Sequence, residues 1–195
     1  MKNLKGSKTA ENLMKAFAGE CQARTRYTFY SGVAKSECYI QISNIFMEIA
    51  EQEREHAKRF YKLLTNEIQD EAIEIQAMYP AAYHKETLKN LKAAAAGENE
   101  EWSDIYQSFR KIAEDEGFLI IAKAFKEIAE VEESHEKRFN KLAKNIEDGT
   151  VFRKDEKVLW KCNNCGYIHE GKEAPKVCPA CLHPQGYFEV FCENY

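Results

Sequence analysis

The spacing of hydrophobic residues predicts helix through most of the first 148 residues of this 195-residue chain. Apolar residues recur in steps of three and four over residues 42–63 and over 121–146, which is typical of helices that bury one face in a bundle. Each of these helices follows another, one from Thr9, a candidate N-cap, to the low thirties and one over residues 87–115. The pattern therefore predicts four helices.

Two segments break this pattern. Residues 66–86 contain Pro80 and are long for a turn, so we expect them to form the single long crossover of a ferritin-like bundle. After Gly149 the helical period stops, and short aromatic and β-branched segments with three prolines follow. The sequence thus predicts a mainly α protein with two domains, a ferritin-like four-helix bundle over residues 1–149 and a small, β-rich, metal-binding domain over residues 150–195.

One twelve-residue motif occurs twice in the predicted bundle. The segments "IAEQEREHAKRF" at 49–60 and "IAEVEESHEKRF" at 128–139 are identical at eight positions and lie 79 residues apart. Each is preceded, at a matched distance, by the triplet A-G-E, at 18–20 and at 96–98. The bundle is therefore predicted to consist of two copies of one helix pair, each contributing a lone glutamate and an E-x-x-H motif.

By helical period, seven residues with potential ligand side chains face the core of the bundle: Glu20, Glu53, His56, Glu98, Glu101, Glu132 and His135. Carboxylates buried only against one another would be prohibitively unstable, whereas two iron ions nearly balance their charge. The mixture of oxygen and nitrogen ligands suits iron or manganese better than calcium or a structural zinc. One E-x-x-H is usually a solvated glutamate beside an ordinary histidine, but two copies at core positions predict a dinuclear metal site. Tyr27 and Tyr106 are either core aromatics or hydrogen-bond donors to these ligands.

The predicted second domain carries four cysteines, in the spacing C-x2-C-x12-C-x2-C: Cys162, Cys165, Cys178 and Cys181. Four thiolates from two tight loops make a tetrahedral site for zinc or for a single iron, and spacing alone favours a zinc ribbon that only stabilises a small fold. Gly166-Tyr167 after the second cysteine and Pro179 after the third favour iron, because they resemble the metal-binding loops of rubredoxins. Leu182 departs from that pattern, since rubredoxins usually have glycine there.

Composition narrows the possible partners and compartment. The net charge of −4, with basic residues interleaved among acidic ones, argues against nucleic acid as a partner. We see no apolar run of membrane-spanning length and no secretory signal, so we expect no membrane partner and a cytoplasmic location. In that compartment Cys21, Cys38 and Cys192 are expected to be incidental thiols.

The order of these motifs resembles the rubrerythrin family over essentially the whole chain. The resemblance is carried by the paired E-x-x-H motifs, the E-x-x-E of residues 98–101 and the segment "CPACLHPQGYF", which also explains Leu182. It implies two iron ions in the bundle and one iron in the four-cysteine site of a rubredoxin-like domain. Glu53 and Glu132 would bridge the two irons. Glu20 would complete one iron together with His56 or Glu101, which exchange on a change of oxidation state, and Glu98 and His135 would complete the other.

The resemblance also implies a function. It predicts a non-haem di-iron peroxidase that reduces hydrogen peroxide to water and protects the cell from oxidative stress. Electrons would reach the bundle through the rubredoxin-type iron of a partner subunit in a homodimer. Because the chain lacks G-x-G, the fingerprint of dinucleotide binding, a rubredoxin or a separate NAD(P)H-dependent reductase would supply them. The alternatives are an oxygen-using ferroxidase or oxidase and, from another class, a zinc-stabilised protein with no enzymatic activity.

Overall fold

Ser7 begins the first helix of the computed structural model, which describes residues 3–194. The Ser7 side chain accepts a hydrogen bond from the backbone N–H of Ala10, and α1 runs over Lys8–Ser36. The predicted N-cap, Thr9, is therefore wrong by two residues. Thr9 lies within the first turn, and its hydroxyl donates to Glu116 Oε2 at 2.5 Å, so it ties the start of α1 to a distant part of the bundle.

The remaining helices complete the bundle. They are α2 (Ile40–Thr65), α3 (Thr87–Glu100), α4 (Tyr106–Asp115) and α5 (Leu119–Glu147). The α1 helix packs against α2, and α3 and α4 pack against α5, so the molecule contains the two helix pairs that the repeat predicts.

A π-helical turn, Glu101–Ile105, joins α3 to α4 and makes them one continuous helix. We refer to it as the π-turn. The backbone N–H of Tyr106 bonds to the carbonyl of Glu101, five residues earlier, so this turn holds one residue more than an α-helical turn. Tyr106 accordingly follows Glu98 by eight residues, whereas Tyr27 follows Glu20 by seven. The sequence predicts an uninterrupted helix over this region and misses the extra residue.

Two apolar clusters fill the bundle, one towards each end. The first contains Leu13, Phe60 and Phe125, and the second contains Phe46 and Phe139. On α1, α2 and α5 the motif glutamate lies between residues of the two clusters, so the acidic groups form a layer between two apolar regions. This layer is where the candidate metal ligands meet.

The segment of residues 66–86 contains neither helix nor strand and forms the long connection between the two helix pairs. Its side chains and backbone hold it along α1. The Tyr79 hydroxyl donates to the carbonyl of Lys15 at 2.9 Å, and the Tyr30 hydroxyl donates to the carbonyl of Ala82 at 2.5 Å. The crossover predicted for a ferritin-like bundle is confirmed.

The chain after the bundle forms a three-stranded antiparallel sheet in the order β2-β1-β3. The strands are β1 (Arg153–Cys162), β2 (Ile168–Glu173) and β3 (Phe188–Val190). A small apolar cluster around Trp160 and Phe188 lies beneath them. The mainly α fold with a small β-rich module is confirmed, and the domain boundary after residue 149 stays a prediction. Among residues 3–194, no helix is both long enough and apolar enough to cross a membrane.

The small sheet docks on the tip of the α1–α2 hairpin. Gly186 lies so close to Cys38 that a side chain at position 186 would clash with the Cys38 carbonyl oxygen. The rings of Tyr39 and Phe152 stack nearby, with centroids 6.0 Å apart and planes 5° from parallel. The module therefore sits at one end of the helices and not beside the acidic layer.

Candidate metal centres

Four glutamates and two histidines converge in the acidic layer of the bundle. Their ligand atoms form two groups, within each of which all lie within 4.8 Å of one another. The first metal position is surrounded by Glu20, Glu53, His56 and Glu132, and the second by Glu53, Glu98, Glu132 and His135. Glu53 and Glu132 belong to both groups, so they are the residues able to bridge two ions.

The oxygen atoms of these two shared carboxylates are divided between the histidines. Glu53 places Oε2 2.8 Å from His56 Nδ1 and Oε1 3.0 Å from His135 Nδ1. Glu132 places Oε1 2.9 Å from His56 Nδ1 and Oε2 2.8 Å from His135 Nδ1. Each carboxylate thus directs one oxygen to each position, which is the arrangement of a bridging ligand.

Without a cation, the charges in this layer conflict. Burial together with repulsion from Glu53 raises the pKa of Glu98 to about 8, and burial with repulsion from Glu132 raises the pKa of Glu20 well above its usual value. Burial opposes the charged form of Glu53 too, but its contacts with His135 and His56 lower its pKa to about 2. Burial likewise opposes protonation of His135, yet contacts with Glu132 and Glu53 raise its pKa to about 12. In the absence of metal ions, bound protons therefore offset the negative charge of the carboxylates in this layer.

Several buried ligand atoms have no partner with the geometry of a hydrogen bond, although His135 Nδ1 lies 3.0 Å from Glu53 Oε1 and 2.8 Å from Glu132 Oε2, and this observation tests whether metal ions fit. They are Glu20 Oε2, Glu53 Oε1, Glu98 Oε2, both carboxylate oxygens of Glu132, and His135 Nδ1. Buried polar atoms in native proteins almost always have a partner, so a set of unpartnered lone pairs that point at one another indicates missing cations. The residues fit two metal ions with oxygen and nitrogen ligands.

Both tyrosines singled out by the sequence are buried and donate to ligands across the bundle. The Tyr27 hydroxyl donates to Glu98 Oε1 at 2.5 Å, and the Tyr106 hydroxyl donates to Glu20 Oε1 at 2.5 Å. In each case Oε2 of the same glutamate stays unpartnered and faces the layer. The pair of tyrosines therefore orients the two glutamates that are not shared.

Glu101 belongs to neither group of ligand atoms, although it lies beside them at the start of the π-turn. Burial and repulsion from Glu98 raise its pKa well above the usual value. It borders a cavity of about 320 Å³ that is also lined by Gly19, Arg26 and Tyr79. In this structure it is His56, and not Glu101, that shares the first metal position with Glu20.

Sequence reasoning missed one residue of this site, Gln52. Its side-chain Oε1 lies 3.0 Å from Nε2 of His135, on the side of the ring that faces away from the glutamates. The available signal was a difference between the two copies of the motif, because Val131 occupies the position equivalent to Gln52.

The four cysteine sulfurs have the spacing of ligands at the corners of a tetrahedron. The Sγ atoms of Cys162 and Cys181 lie 3.8 Å apart and those of Cys165 and Cys178 lie 3.7 Å apart. A disulfide requires about 2.05 Å, whereas ligands around a metal with bonds of about 2.3 Å lie roughly 3.8 Å apart. All four Sγ atoms lie within 4.8 Å of one another, so the site fits one metal ion.

Two backbone turns hold these cysteines, and the second explains why Leu182 is tolerated. Gly166 follows one cysteine pair with φ of 79°, and Leu182 follows the other with φ of 61°. The Leu182 N–H bonds to the carbonyl of Cys178 at 2.9 Å, as the Gly166 N–H does to Cys162. The leucine thus adopts a backbone conformation that favours glycine, and its side chain is 77% exposed to solvent.

Comparisons with known proteins agree with both sites. The family model described as Rubrerythrin matches residues 11–143, and the model described as Rubrerythrin, rubredoxin-like domain matches residues 160–189. The chain is 67% identical to Rubrerythrin-1 of Clostridium acetobutylicum, with all of both chains covered. The structure of fully reduced nigerythrin is 30% identical with a TM-score of 0.64, covering 97% of this chain and 92% of the other. A Desulfovibrio desulfuricans bacterioferritin, 20% identical with a TM-score of 0.65, covers 73% of this chain and 82% of its own and shares the fold of the bundle.

The similarity to related proteins thus covers the whole chain, including the helical bundle with its two ligand groups and the segment with the four thiols. The chain belongs to the rubrerythrin family of oxidoreductases, with a di-iron site in its ferritin-like bundle and a rubredoxin-like four-cysteine iron site at its C-terminal end.

Proposed function

We propose that the protein reduces hydrogen peroxide to water and protects the cytoplasm of its cell from oxidative stress. The observation that carries this proposal is the presence, in one chain, of a dinuclear site with shared carboxylates and a separate four-thiol iron site. A pure iron store needs no second centre that accepts electrons from outside, whereas a peroxidase must be reduced again after each turnover. The di-iron pair, when bound, supplies the two electrons that cleave the O–O bond.

The cavity beside Glu101 is the proposed approach for the substrate. A Cβ at Gly19 would make ordinary contacts, 4.0 Å from Glu101 Oε1 and 3.7 Å from the Tyr79 ring, so glycine leaves this side of the cavity wider without being required there. With a volume of about 320 Å³ and both charged and aromatic residues around it, the cavity admits a small polar molecule. The crossover closes one side of it and limits access by larger reductants.

The chain's own ligands would adapt to the change of oxidation state. Glu20, Glu53, Glu98, Glu132 and His135 hold their places through buried contacts with one another and with the two tyrosines. His56 belongs to the ligands of the first metal position, and Glu101, at the cavity, is close enough to Glu20 of the same position to raise its pKa. We propose that His56 and Glu101 alternate there, because an anionic carboxylate suits the more highly charged ferric ion and a neutral imidazole suits the ferrous ion.

The four-cysteine site is proposed to pass electrons to the bundle of a second subunit. The module docks at the end of α2 that begins with Ile40, and Glu53 lies thirteen residues further along this helix. At 1.5 Å per residue this is about 20 Å, so the module's own bundle places its acidic layer far from the thiols. A homodimer that brings a partner's module closer, with a rubredoxin or an NAD(P)H-dependent reductase as external donor, fits this separation.

The test is rapid mixing of the iron-loaded, anaerobically reduced protein with hydrogen peroxide and, separately, with oxygen. The proposal expects much faster reoxidation by peroxide, with two electrons consumed from the bundle per peroxide. Glu53→Ala should abolish this reaction, whereas Glu55→Ala, at an exposed position of the same helix, should leave it unchanged. Faster reoxidation by oxygen would make the protein an oxidase or ferroxidase, and zinc in both sites would favour the non-enzymatic alternative.

A further inference from the structure

The two histidines of the bundle are anchored differently. His135 has its Nε2 3.0 Å from the side-chain Oε1 of Gln52, which lies on the opposite helix pair. An amide oxygen can only accept a hydrogen bond, so Nε2 carries a proton, and when a metal ion displaces the proton on Nδ1 the lone pair of Nδ1 is available to bind that ion. That lone pair faces Glu53 and Glu132, at the second metal position.

His56 presents its Nδ1 to the same two glutamates, but its other ring nitrogen is not held. Within residues 3–194 no hydrogen bond joins His56 Nε2 to another residue, and 14% of its side chain is exposed compared with 5% for His135. The internal repeat gives the reason. Gln52 immediately precedes Glu53, and the residue that immediately precedes Glu132 is Val131, which has no hydrogen-bonding side-chain atom.

A metal-ligating histidine usually donates its second N–H to a fixed acceptor, which sets the tautomer and the orientation of the ring. Here only the second metal position has such an acceptor. The other break in the repeat falls on the first position, since Glu101 has Ala23 as its counterpart. The first position thus has both an untethered histidine and a spare carboxylate beside it.

We propose that Gln52 is a positioning residue that holds the His135 ring at the second metal position, and that Val131, by offering no equivalent acceptor, leaves His56 free to depart from the first. This inference rests on the exchange of Glu101 and His56 in the proposed function. The further point is that Gln52 and Val131, at equivalent positions of the repeat, determine which of the two histidines exchanges.

The experiment exchanges the two residues in the full-length protein. Gln52→Val removes the tether from His135, and Val131→Gln offers one to His56. Gln52 is exposed and Val131 is 37% exposed, so neither substitution disturbs the core. Gln52→Glu is the conservative control, because a carboxylate accepts the same hydrogen bond.

The first measurement is independent of peroxidase activity. In the zinc-loaded protein, NMR should show a slowly exchanging ring N–H on His135 and a rapidly exchanging one on His56. Gln52→Val should make the His135 proton exchange rapidly and lower metal affinity at the second position by roughly tenfold, the lower end of the usual effect of such partners. Gln52→Glu should retain both properties. Unchanged proton exchange and affinity in Gln52→Val would overturn the proposal, whatever the protein's activity.

The second measurement uses the iron-loaded protein. If Val131→Gln holds His56 on the first iron in both oxidation states, the ferric pair keeps a neutral ligand where it would otherwise gain a carboxylate. The midpoint potential of the di-iron pair should therefore rise, and His56 should gain a slowly exchanging N–H in the zinc-loaded form. A slow N–H on His56 with no change in potential would show that tethering does not govern the exchange, and would overturn that half of the proposal.

Discussion

The two metal centres of this protein are built in opposite ways. The bundle site gathers its ligands from four helices, between Glu20 and His135, and depends on two apolar clusters to bring them together. The four-cysteine site takes all of its ligands from two short turns between Cys162 and Cys181, next to a very small core. The first is a property of the whole bundle, and the second is a local structure.

The two sites also differ in what happens to them without metal. In the bundle, buried carboxylates and imidazoles compete for protons, and the pKa of Glu98 rises to about 8 while that of Glu53 falls to about 2. In the small module the ligands are thiols near the surface: a backbone hydrogen bond from His183 lowers the pKa of the half-buried Cys181 to about 6, and Cys165 is exposed. Without metal ions, the buried carboxylates of the bundle therefore oppose folding, whereas the thiols near the surface of the small module do so much less.

The largest expected effect comes from a substitution that inactivates the four-cysteine site and leaves the bundle site intact. Cys162→Ser should abolish steady-state reduction of hydrogen peroxide, because it removes a ligand of the iron that returns electrons, while the helical bundle stays folded. Circular dichroism and iron content of the bundle should match the unmodified protein. Chemically reduced variant protein should still consume one equivalent of peroxide, and failure to do so would contradict the division of roles.

Mixed subunits provide the matching control for that variant. Cys162→Ser and Glu53→Ala are each inactive by this argument, but each retains the site that the other lacks. After subunit exchange, heterodimers should regain part of the turnover. No recovery after confirmed exchange would count against transfer between subunits.

A smaller effect concerns pH and the metal-free bundle. In the folded metal-free protein Glu98 holds its proton up to a pKa of about 8 and His56 up to about 10, against ordinary values of 4.5 and 6.5. The folded state therefore binds more protons than the unfolded state between pH 5 and 9, so its stability falls as pH rises. We expect a decrease in Tm of roughly 10 °C across this range, measured by calorimetry.

Glu98→Gln sharpens this test, because the substitution removes one of the groups that must ionise in a buried site. It should raise the Tm of the metal-free protein at pH 8 and flatten its dependence on pH. In the iron-loaded protein the dependence should have the opposite sign, since metal binding requires deprotonated ligands. A metal-free Tm that increases between pH 5 and 9 would contradict the charge conflict described above.

The smallest effect concerns the tyrosines. Tyr27→Phe and Tyr106→Phe each remove one hydrogen bond to a buried glutamate, so each should lower the free energy of unfolding by about 1–3 kcal/mol. The repeat predicts similar losses from the two substitutions, measured by urea denaturation of the metal-loaded protein. A large difference between them would show that the two halves of the bundle are less alike than their hydrogen bonds indicate.

Much of this architecture could be predicted from the sequence, because periodicity and repetition are local signals. The helices, the crossover and the ligand-bearing faces follow from apolar spacing and from the duplicated E-x-x-H motif. The π-turn was not predicted from the sequence, although Tyr106 follows Glu98 by one residue more than Tyr27 follows Glu20. An extra residue can be absorbed by a loop or by a wider helical turn, and only packing of the helix on both sides decides between them.

Contacts between distant residues were the other omission. Gln52 reaches a histidine 83 residues away, and no local pattern distinguishes it from a solvated glutamine. The start of α1 was misplaced for a related reason. Ser7 and Thr9 are both good capping residues, and Thr9 instead bonds to Glu116, more than a hundred residues later.

The contact between Gly186 and Cys38 has a consequence for modularity. Because any side chain at position 186 would meet the backbone of the α1–α2 hairpin, the small iron module is fitted to this particular bundle. Cys38 itself adopts a φ of 64°, a conformation that non-glycine residues rarely accept, at the same contact. An electron-carrying domain grafted from another protein would therefore have to bring a glycine at this point, or would swing away on its linker and lose its fixed orientation. The contact between the small module and the α1–α2 hairpin is therefore as specific in its residue requirements as either metal site.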